Sequence, residues 1–429
     1  MNTEDLYRIY QQFPFVQTDT RKLKKAEIFF ALKGEHFNGN KFAKQAIEQG
    51  AAYAVIDEAA YAIPGKTILV DDVLIGLQQL AQYHRSQLSI PFLAITGSNG
   101  KTTTKELIHA VLSEKFKTST TEGNLNNHIG VPLTLLRISP HAQIAVIEMG
   151  ANHLREIAGY CEIAQPTHGI ITNCGKAHLE GFGSEEVIRQ AKGELYDYLR
   201  AHQGTAFIMW DYDYLRKMSR GISGTIKYGT NQEAHIYGIA VKSEPWLEVE
   251  VQQGLSGGSL HTKLVGDYNL PNVLVAVTVG KFFDVPDNKI RSAIENYVPS
   301  NSRSQLLKKG TNTIILDAYN ANPSSMQLAI QNFEKMQQQN KVLMLGAMAE
   351  LGKDSIDEHK RIVEQIGNSK WKAVVLVGGD FLNLKHPYTS FETSEKAAEW
   401  LKNQNFENTY LLVKGSRSIK MEKVVEELN

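Results

Sequence analysis

The sequence predicts an α/β protein of three domains: a small N-terminal α/β domain over 1–90, a central domain with a mainly parallel sheet over 91–298, and a doubly wound C-terminal domain over 299–429. Three observations carry this reading. At 429 residues the chain exceeds what one compact core organises. A glycine loop lies between an apolar run and a helix-like run near residue 95, and such a strand–loop–helix unit belongs in a parallel sheet. From about 299 onward, apolar strand-like runs alternate with helix-like runs, the pattern of helices covering both faces of a parallel sheet.

Composition narrows the class. The apolar fraction is 42% and the charged fraction 21%, which suits a soluble globular protein. Lys+Arg and Asp+Glu both number 46, so no net field favours nucleic acid or a membrane surface. The two cysteines, Cys161 and Cys174, make no disulfide framework and fit a reducing compartment. The N-terminus lacks the basic and apolar regions of a signal peptide, and no apolar run approaches the ~20 residues that span a bilayer. A cytoplasmic protein without membrane insertion is expected, with a monomer as the default.

In the N-terminal segment, 28–32 and 52–56 are strand-like, with a helix-like 42–49 between them. The turns Asp19-Thr20-Arg21 and Leu32-Lys33-Gly34-Glu35 offer polar groups to a ligand, although composition alone makes them ordinary turns. The helix-like 74–86 then leads to Pro91, a boundary.

The central segment opens on Phe92-Leu93-Ala94-Ile95, then Thr96-Gly97-Ser98-Asn99-Gly100-Lys101-Thr102-Thr103, then a helix beginning near Leu107. Gly97 and Gly100 allow the backbone to turn and point N–H groups inward, and the helix dipole adds partial positive charge. Lys101 can reach β- and γ-phosphates and the Thr102 hydroxyl can ligate Mg²⁺. This is a shortened P-loop, since Ile95 stands where the common pattern has glycine. It marks a nucleoside triphosphate site and makes the middle of the chain a P-loop ATPase domain.

An asparagine-rich loop follows, Glu122-Gly123-Asn124-Leu125-Asn126-Asn127, and then a strand, 144–147, ending in Glu148. A carboxylate at a strand tip beside a P-loop suits a second Mg²⁺ ligand, the plainer alternative being a solvated side chain. A third strand, 169–173, runs into a loop carrying Cys174, expected to be structural, and His178, which is either a metal-facing imidazole or a surface residue. The next helix carries Val187, Ile188, Ala191, Leu195, Tyr198 and Leu199 on one stripe, with Lys192 at its border. Lys192 either snorkels or has its charged form disfavoured, which would make it nucleophilic toward carbon dioxide. Short β-like runs recur at 206–208, 236–239, 247–251 and 260–265. Asn269 and Asn272 flank Pro271 at the start of an apolar helix, where they either cap it or read an adenine edge.

In the C-terminal segment the strands are 313–316, 342–345, 374–377 and 410–413, and the helices 324–338, 357–366, 394–402 and 419–428. Polar signatures follow three strand ends: Asp317-Ala318-Tyr319-Asn320-Ala321-Asn322, Gly346-Ala347-Met348-Ala349-Glu350-Leu351-Gly352, and Lys414-Gly415-Ser416-Arg417. Open α/β sheets bind ligands at such ends. The linker Asn301-Ser302-Arg303-Ser304 offers Arg303 as a phosphate clamp.

Taken together, the short P-loop, Gly123-Asn124-Leu125-Asn126-Asn127, Glu148-Met149-Gly150-Ala151-Asn152-His153, Ala177-His178-Leu179-Glu180-Gly181-Phe182-Gly183-Ser184, Ala191-Lys192-Gly193-Glu194 and Asp317-Ala318-Tyr319-Asn320-Ala321-Asn322-Pro323 resemble the Mur ligases of peptidoglycan synthesis. The asparagine-rich loop, the His-Leu-Glu-Gly-Phe-Gly segment and Lys414-Gly415-Ser416-Arg417 narrow the resemblance to the member that adds a dipeptide. It covers all three domains. It implies a UDP-binding N-terminal domain, a central ATPase domain and a Rossmann-like C-terminal domain. It further implies an amide ligase that uses ATP to phosphorylate the carboxylate of UDP-N-acetylmuramoyl-tripeptide, with D-alanyl-D-alanine attacking the acyl phosphate. By resemblance Lys101 cradles phosphates, Thr102 and Glu148 hold one Mg²⁺, and His178 with carbamylated Lys192 holds a second. Asn269 and Asn272 would approach adenine; Arg303 and Asp317 would approach the ribose and phosphates. Thr20, Arg21, Lys33 and Gly34 would bind the uridine diphosphate, and Asn127, Tyr319, Asn320, Lys414, Ser416 and Arg417 the peptides. Many members carry Pro-Gly-Arg at the hinge where this chain has Asn301-Ser302-Arg303, keeping the arginine. Two other readings compete: a sister ligase adding a single amino acid, and a P-loop switch or motor, which leaves His178, Lys192 and the last domain without a role.

Overall fold

The computed structural model describes residues 1–300 and 302–426. Three sheets organise the chain. In the first, Val16–Gln17, Ile28–Phe30, Tyr53–Ile56 and Thr67–Leu69 pair in chain order, all parallel. Its central strands are apolar throughout, as a parallel sheet covered on both faces requires. Helix Ala43–Glu48 matches the expected 42–49, and Val73–Ser86 the expected 74–86. The latter ties this domain to the next. Arg85 donates to the carbonyls of Ala164 and Gln165 (both 2.8 Å), and its guanidinium lies 3.7 Å over the Phe92 ring.

The central sheet has nine strands, ordered Ser259–His261, Glu248–Gln253, Ile236–Lys242, Gly224–Gly229, Thr205–Met209, His168–Ile171, Phe92–Thr96, Ile144–Glu148 and Thr118–Thr120. Only the first two pairings are antiparallel. The alternation at 247–251 holds: Leu247, Val249 and Val251 are buried, while Glu248 and Glu250 face outward. Two strands of this sheet lacked a sequence signal. Thr118–Thr120 is a three-residue polar edge, and Gly224–Gly229 is half-buried along most of its length. The strand order decides the function. Phe92–Thr96 lies between Ile144–Glu148 and His168–Ile171, so the loops leaving these three C-terminal ends converge on one edge. Behind them, helix Lys101–Ser113 packs on helix Leu270–Phe282 so closely that a Cβ on Gly280 would lie 2.6 Å from Val111 Cγ1.

The C-terminal sheet is ordered Gln305–Lys309, Asn312–Asp317, Tyr410–Lys414, Lys341–Gly346, Ala373–Val377 and Thr389–Phe391. Every pairing is parallel except the first, a hairpin turned by Gly310 at φ +56°. The expected strands and helices are present, with Pro323–Lys335, Ser355–Gly367 and Ser394–Asn403 as the helices. The last helix begins at Lys423 rather than 419, because Lys420 adopts a left-handed φ of +57° and delays it. The remainder of that expected helix, 427–428, lies outside the described residues, as does Asn301 of the linker. Among the described residues no helix is long and apolar enough to cross a membrane.

Candidate active site

The phosphate cradle forms where the sequence places it. Gly97 has φ +140°, and a Cβ there would lie 2.0 Å from Thr172 Oγ1; Gly100 has φ +81° and opens helix Lys101–Ser113. The neighbouring strand end braces the loop. Asn99 N–H donates to Asn173 Oδ1 (3.1 Å), Thr172 Oγ1 to Asn99 O (2.6 Å), and Ser98 Oγ to Gly175 O (2.6 Å). Lys101 folds back over the loop, its Nζ 2.6 Å from Gly97 O and 3.2 Å from Ser98 O. Burial lowers its pKa, with the Glu148 charge opposing that shift. A phosphate arriving in the loop would replace these carbonyl acceptors with anionic ones.

Glu148 is 1% exposed at the tip of its strand, which removes the solvated alternative. Oε2 accepts from Thr102 Oγ1 (2.9 Å), and Oε1 accepts from Asn126 Nδ2 (2.8 Å). Lys105, one turn further along the P-loop helix, is also buried, with Nζ 3.9 Å from Glu148 Oε2 and donating to Thr121 O (2.8 Å) and Gly123 O (3.2 Å). Neither Lys105, which follows three threonines in the P-loop helix, nor Asn126, within the asparagine-rich loop, is among the residues the sequence assigns to the site. A buried carboxylate joined to the P-loop hydroxyl is an all-oxygen donor set suited to Mg²⁺. Among the described residues no three His, Cys, Asp or Glu side chains gather into a cage of their own. Mg²⁺ here would therefore draw its remaining ligands from phosphates and water, as that ion usually does.

His178 leads off the third strand end at φ +53° and lines the same cleft. Its Nδ1 approaches Glu350 Oε2 to 2.5 Å, obliquely to the ring N–H direction. Lys192 corrects the sequence picture. It is not at the border of its helix stripe but 1% exposed among Ile188, Ala191 and Leu195, with Nζ donating to Ala151 O (3.0 Å) and 5.0 Å over the Phe182 ring. Burial, helped by the Lys101 charge, pulls its pKa down to about 7. A snorkelling lysine would reach water; this one does not. Cys174 is buried beside it with a thiol pushed up to about 12, which fits an inert packing role.

The far wall comes from the helix start at Leu270 and from the C-terminal domain. Asn269 and Asn272 are buried and do not cap the helix with their side chains. Instead Asn269 Nδ2 donates to Val265 O, Asn272 Nδ2 to Asn269 Oδ1 (both 2.8 Å), and Thr104 Oγ1 to Asn272 Oδ1 (3.1 Å). Across from them the Arg303 guanidinium stacks 3.6 Å over Tyr319. Lys414, buried at its strand end, bonds Asp317 Oδ2 (2.5 Å) and Asn320 O (3.3 Å). Direct contacts join the two domains around the cleft: Asn322 Nδ2 to Asn99 Oδ1 (2.8 Å), Tyr268 OH to Ser304 Oγ (3.1 Å), and Lys176 N–H to Ser324 Oγ (2.9 Å). The cleft between them has a volume of about 900 Å³. Its walls include Ser98 through Thr103, Asn127, Glu148 and His178 from the central domain. Arg303, Asp317, Tyr319, Asn320, Glu350 and Lys414 complete it from the C-terminal domain.

Other expected residues lie elsewhere. Arg21 is clamped by Asp19, with Nε 2.9 Å and Nη2 2.8 Å from the carboxylate, at the turn Thr20–Lys22. Lys33 pairs with Asp57 (3.1 Å) beside the two-stranded ribbon Lys33–Gly34 and Phe37–Asn38. Ser416 is buried, bonding Ala347 O at 2.7 Å, and Arg417 is exposed and paired with Glu422 at 2.9 Å. None of these lines the cleft. Asn127 does line it, with Oδ1 accepting from Gly130 N at 2.8 Å.

A P-loop facing a second α/β domain across one cleft defines a nucleotide-dependent enzyme of the P-loop class. The chain belongs to the Mur ligase family. Three models of that family match it: Mur ligase family, catalytic domain, over 12–85; Mur ligase middle domain over 95–280; and Mur ligase, glutamate ligase domain, over 302–417. It is 34% identical to the UDP-N-acetylmuramoyl-tripeptide–D-alanyl-D-alanine ligase of Bacillus subtilis, over 96% of this chain and 92% of that protein. It is likewise 34% identical to the ligase of the same name from Escherichia coli, over 96% and 93%. Crystal structure I of MurF from Acinetobacter baumannii superposes with a TM-score of 0.88 at 28% identity, covering 100% of this chain and 98% of that one. MurF ligase of Thermotoga maritima in complex with ADP superposes with a TM-score of 0.85 at 25% identity, covering 96% of each chain.

Proposed function

We propose that this chain joins D-alanyl-D-alanine to the tripeptide of UDP-N-acetylmuramoyl-tripeptide at the expense of ATP, through an acyl phosphate. The observation that carries the reading is the shared cleft, where the P-loop, Glu148 and His178 of one domain face Arg303, Asp317 and Lys414 of another. A carboxylate oxygen attacks the γ-phosphorus and ADP leaves; the dipeptide amine then attacks the acyl carbon, and phosphate departs with the former carboxylate oxygen. Two anions must meet in the first step. Lys101 lowers their repulsion, and Arg303 and Lys414 supply further positive charge from the opposite wall. Closure of the two domains over the cleft would keep water from the acyl phosphate.

Mg²⁺ would be held by Thr102 and Glu148, with a second ion at His178 and Lys192, and when bound it offsets the charge of the phosphates. The buried, easily neutralised amine of Lys192 suits carbamylation: the amine adds to carbon dioxide, losing one proton, and becomes an anionic oxygen donor. Asn269 and Asn272 would meet adenine, Arg303 and Asp317 the ribose and phosphates. Thr20, Arg21, Lys33 and Gly34 would hold the uridine diphosphate, and Asn127, Tyr319, Asn320, Lys414, Ser416 and Arg417 the peptides. Domain boundaries near 91 and 299, a monomer and a cytoplasmic location complete the proposal.

The test is product analysis. With Mg-ATP, UDP-N-acetylmuramoyl-tripeptide and D-alanyl-D-alanine, mass spectrometry is expected to show the tripeptide gaining one dipeptide unit. Addition of a single amino acid instead would make the chain a sister ligase, and ATP turnover indifferent to both substrates would make it a switch or motor.

A further inference from the structure

The loop 350–352 leaves the strand end at Gly346 in the C-terminal domain and meets the loop of His178 in the central one. The meeting is built from both backbones. Glu180 N–H donates to Glu350 O (3.0 Å), and a Cβ on Gly352 would lie 3.3 Å from Glu180 Cα. His178 and Glu350, neither a glycine, both stand in the left-handed region, at φ +53° and +61°. Such conformations persist where surrounding contacts hold them, and here they bring the two side chains together. Glu350 Oε2 then lies 2.5 Å from His178 Nδ1, and both residues line the nucleotide cleft. Other contacts hold the domains together independently of the Glu350 side chain, among them Lys176 to Glu358 (2.9 Å) and Asn322 to Asn99 (2.8 Å).

A carboxylate accepts hydrogen bonds, so a ring that turns to bond it presents Nδ1–H. In the neutral ring the other nitrogen, Nε2, then keeps its lone pair. A histidine that ligates a metal commonly has its second nitrogen fixed by a carboxylate in this way. We propose that Glu350 is a positioning residue: docking of the C-terminal domain brings its carboxylate to His178 and fixes the imidazole as the Nδ1–H tautomer, with Nε2 free to act as a ligand. This rests on the reading of His178 as a residue of the nucleotide–metal site. It makes competence of that site depend on a group from the other domain, so a ring that is undocked is also unoriented.

The experiment uses the full-length chain labelled with ¹⁵N-histidine, the His178 signal being assigned by its loss in His178→Gln. Wild-type His178 is expected as the Nδ1–H tautomer, and Glu350→Ala as a mixture or the opposite tautomer. Steady-state kinetics should show kcat lowered by about 10–100-fold in Glu350→Ala, with KM for ATP little changed. Glu350→Gln, which keeps an acceptor oxygen, should recover most of that loss. In a His178→Ala background, Glu350→Ala should cost little more, because the two act as one unit. An unchanged His178 tautomer in Glu350→Ala overturns the proposal, as does a full additional loss in the His178→Ala background. A wild-type enzyme that makes no ligation product refutes the ligase reading instead, and the tautomer is read regardless of turnover.

Discussion

Lys192→Ala is expected to lower kcat by about 10²–10³-fold, the scale of losing a charge-stabilising group at a reacting centre. The chain should still fold and bind ADP. Folding should survive because the native side chain is a costly one to bury: 1% exposed, with one carbonyl as its hydrogen-bond partner in Ala151. ADP binding should survive because the P-loop is braced by Thr172, Asn173 and Gly175 rather than by Lys192. Catalysis should not, because in the proposed role the residue contributes an anionic ligand that alanine lacks. The same argument fixes a pH and bicarbonate dependence. Only the free amine adds to carbon dioxide, and the amine pKa is lowered to about 7. Above that pH the amine is mostly neutral, and added bicarbonate should raise the activity of enzyme depleted of carbon dioxide. As pH falls through about 7 the ammonium form takes over, and the response should fade. Steady-state assays at fixed Mg-ATP with and without bicarbonate measure this. Full activity in Lys192→Ala, with no bicarbonate response in the wild type, contradicts the assigned role.

Glu148→Gln is expected to lose about 10²–10³-fold in kcat/KM for Mg-ATP and also to destabilise the central domain. The two effects have different causes. The carboxylate accepts from Thr102 and Asn126 at once, and an amide presents a donor to one of them. The charge that would hold Mg²⁺ against the P-loop hydroxyl disappears as well. Buried Lys105 meanwhile keeps two carbonyl partners but loses the anion 3.9 Å away. An imperfectly compensated buried polar group costs about 1–3 kcal/mol, readable as a lower urea midpoint at unchanged slope. Turnover near that of the wild type would remove Glu148 from the metal site, and an unaltered midpoint would remove Lys105 from the network.

Much of this was legible in the residues because the chemistry coincides with strong local signals. A P-loop announces itself through glycines at fixed spacing between an apolar strand and a helix, and Gly97 and Gly100 take the positive φ values that spacing requires. The βα rhythm after 299 likewise gave the four inner strands of its sheet within a residue or two, but not the edge strands Gln305–Lys309 and Thr389–Phe391. What escaped depended on long-range packing. Thr118–Thr120 becomes a strand only because Ile144–Glu148 offers an edge to pair with. Lys192 reads as a helix-border residue on a wheel, but Phe182 of the short helix Leu179–Phe182 and Ala151, just past the strand end at Glu148, cover it. Lys105 looks like any helix-surface lysine until the loop carrying Thr121 and Gly123 folds over it. Glu350 meets His178 across 172 positions of chain (350 − 178), and no pattern in either segment encodes that approach.

The central claim is that the cleft activates a carboxylate as an acyl phosphate, and the fate of one oxygen tests it most directly. UDP-N-acetylmuramoyl-tripeptide labelled with ¹⁸O in its terminal carboxylate is incubated with enzyme, Mg-ATP and D-alanyl-D-alanine, and the released phosphate is analysed by mass. Attack of that carboxylate on the γ-phosphorus predicts one ¹⁸O in each phosphate derived from doubly labelled substrate, with phosphate release dependent on both substrates. Phosphate free of ¹⁸O, released whether or not the dipeptide is present, would mean that water attacks ATP and that no acyl phosphate forms.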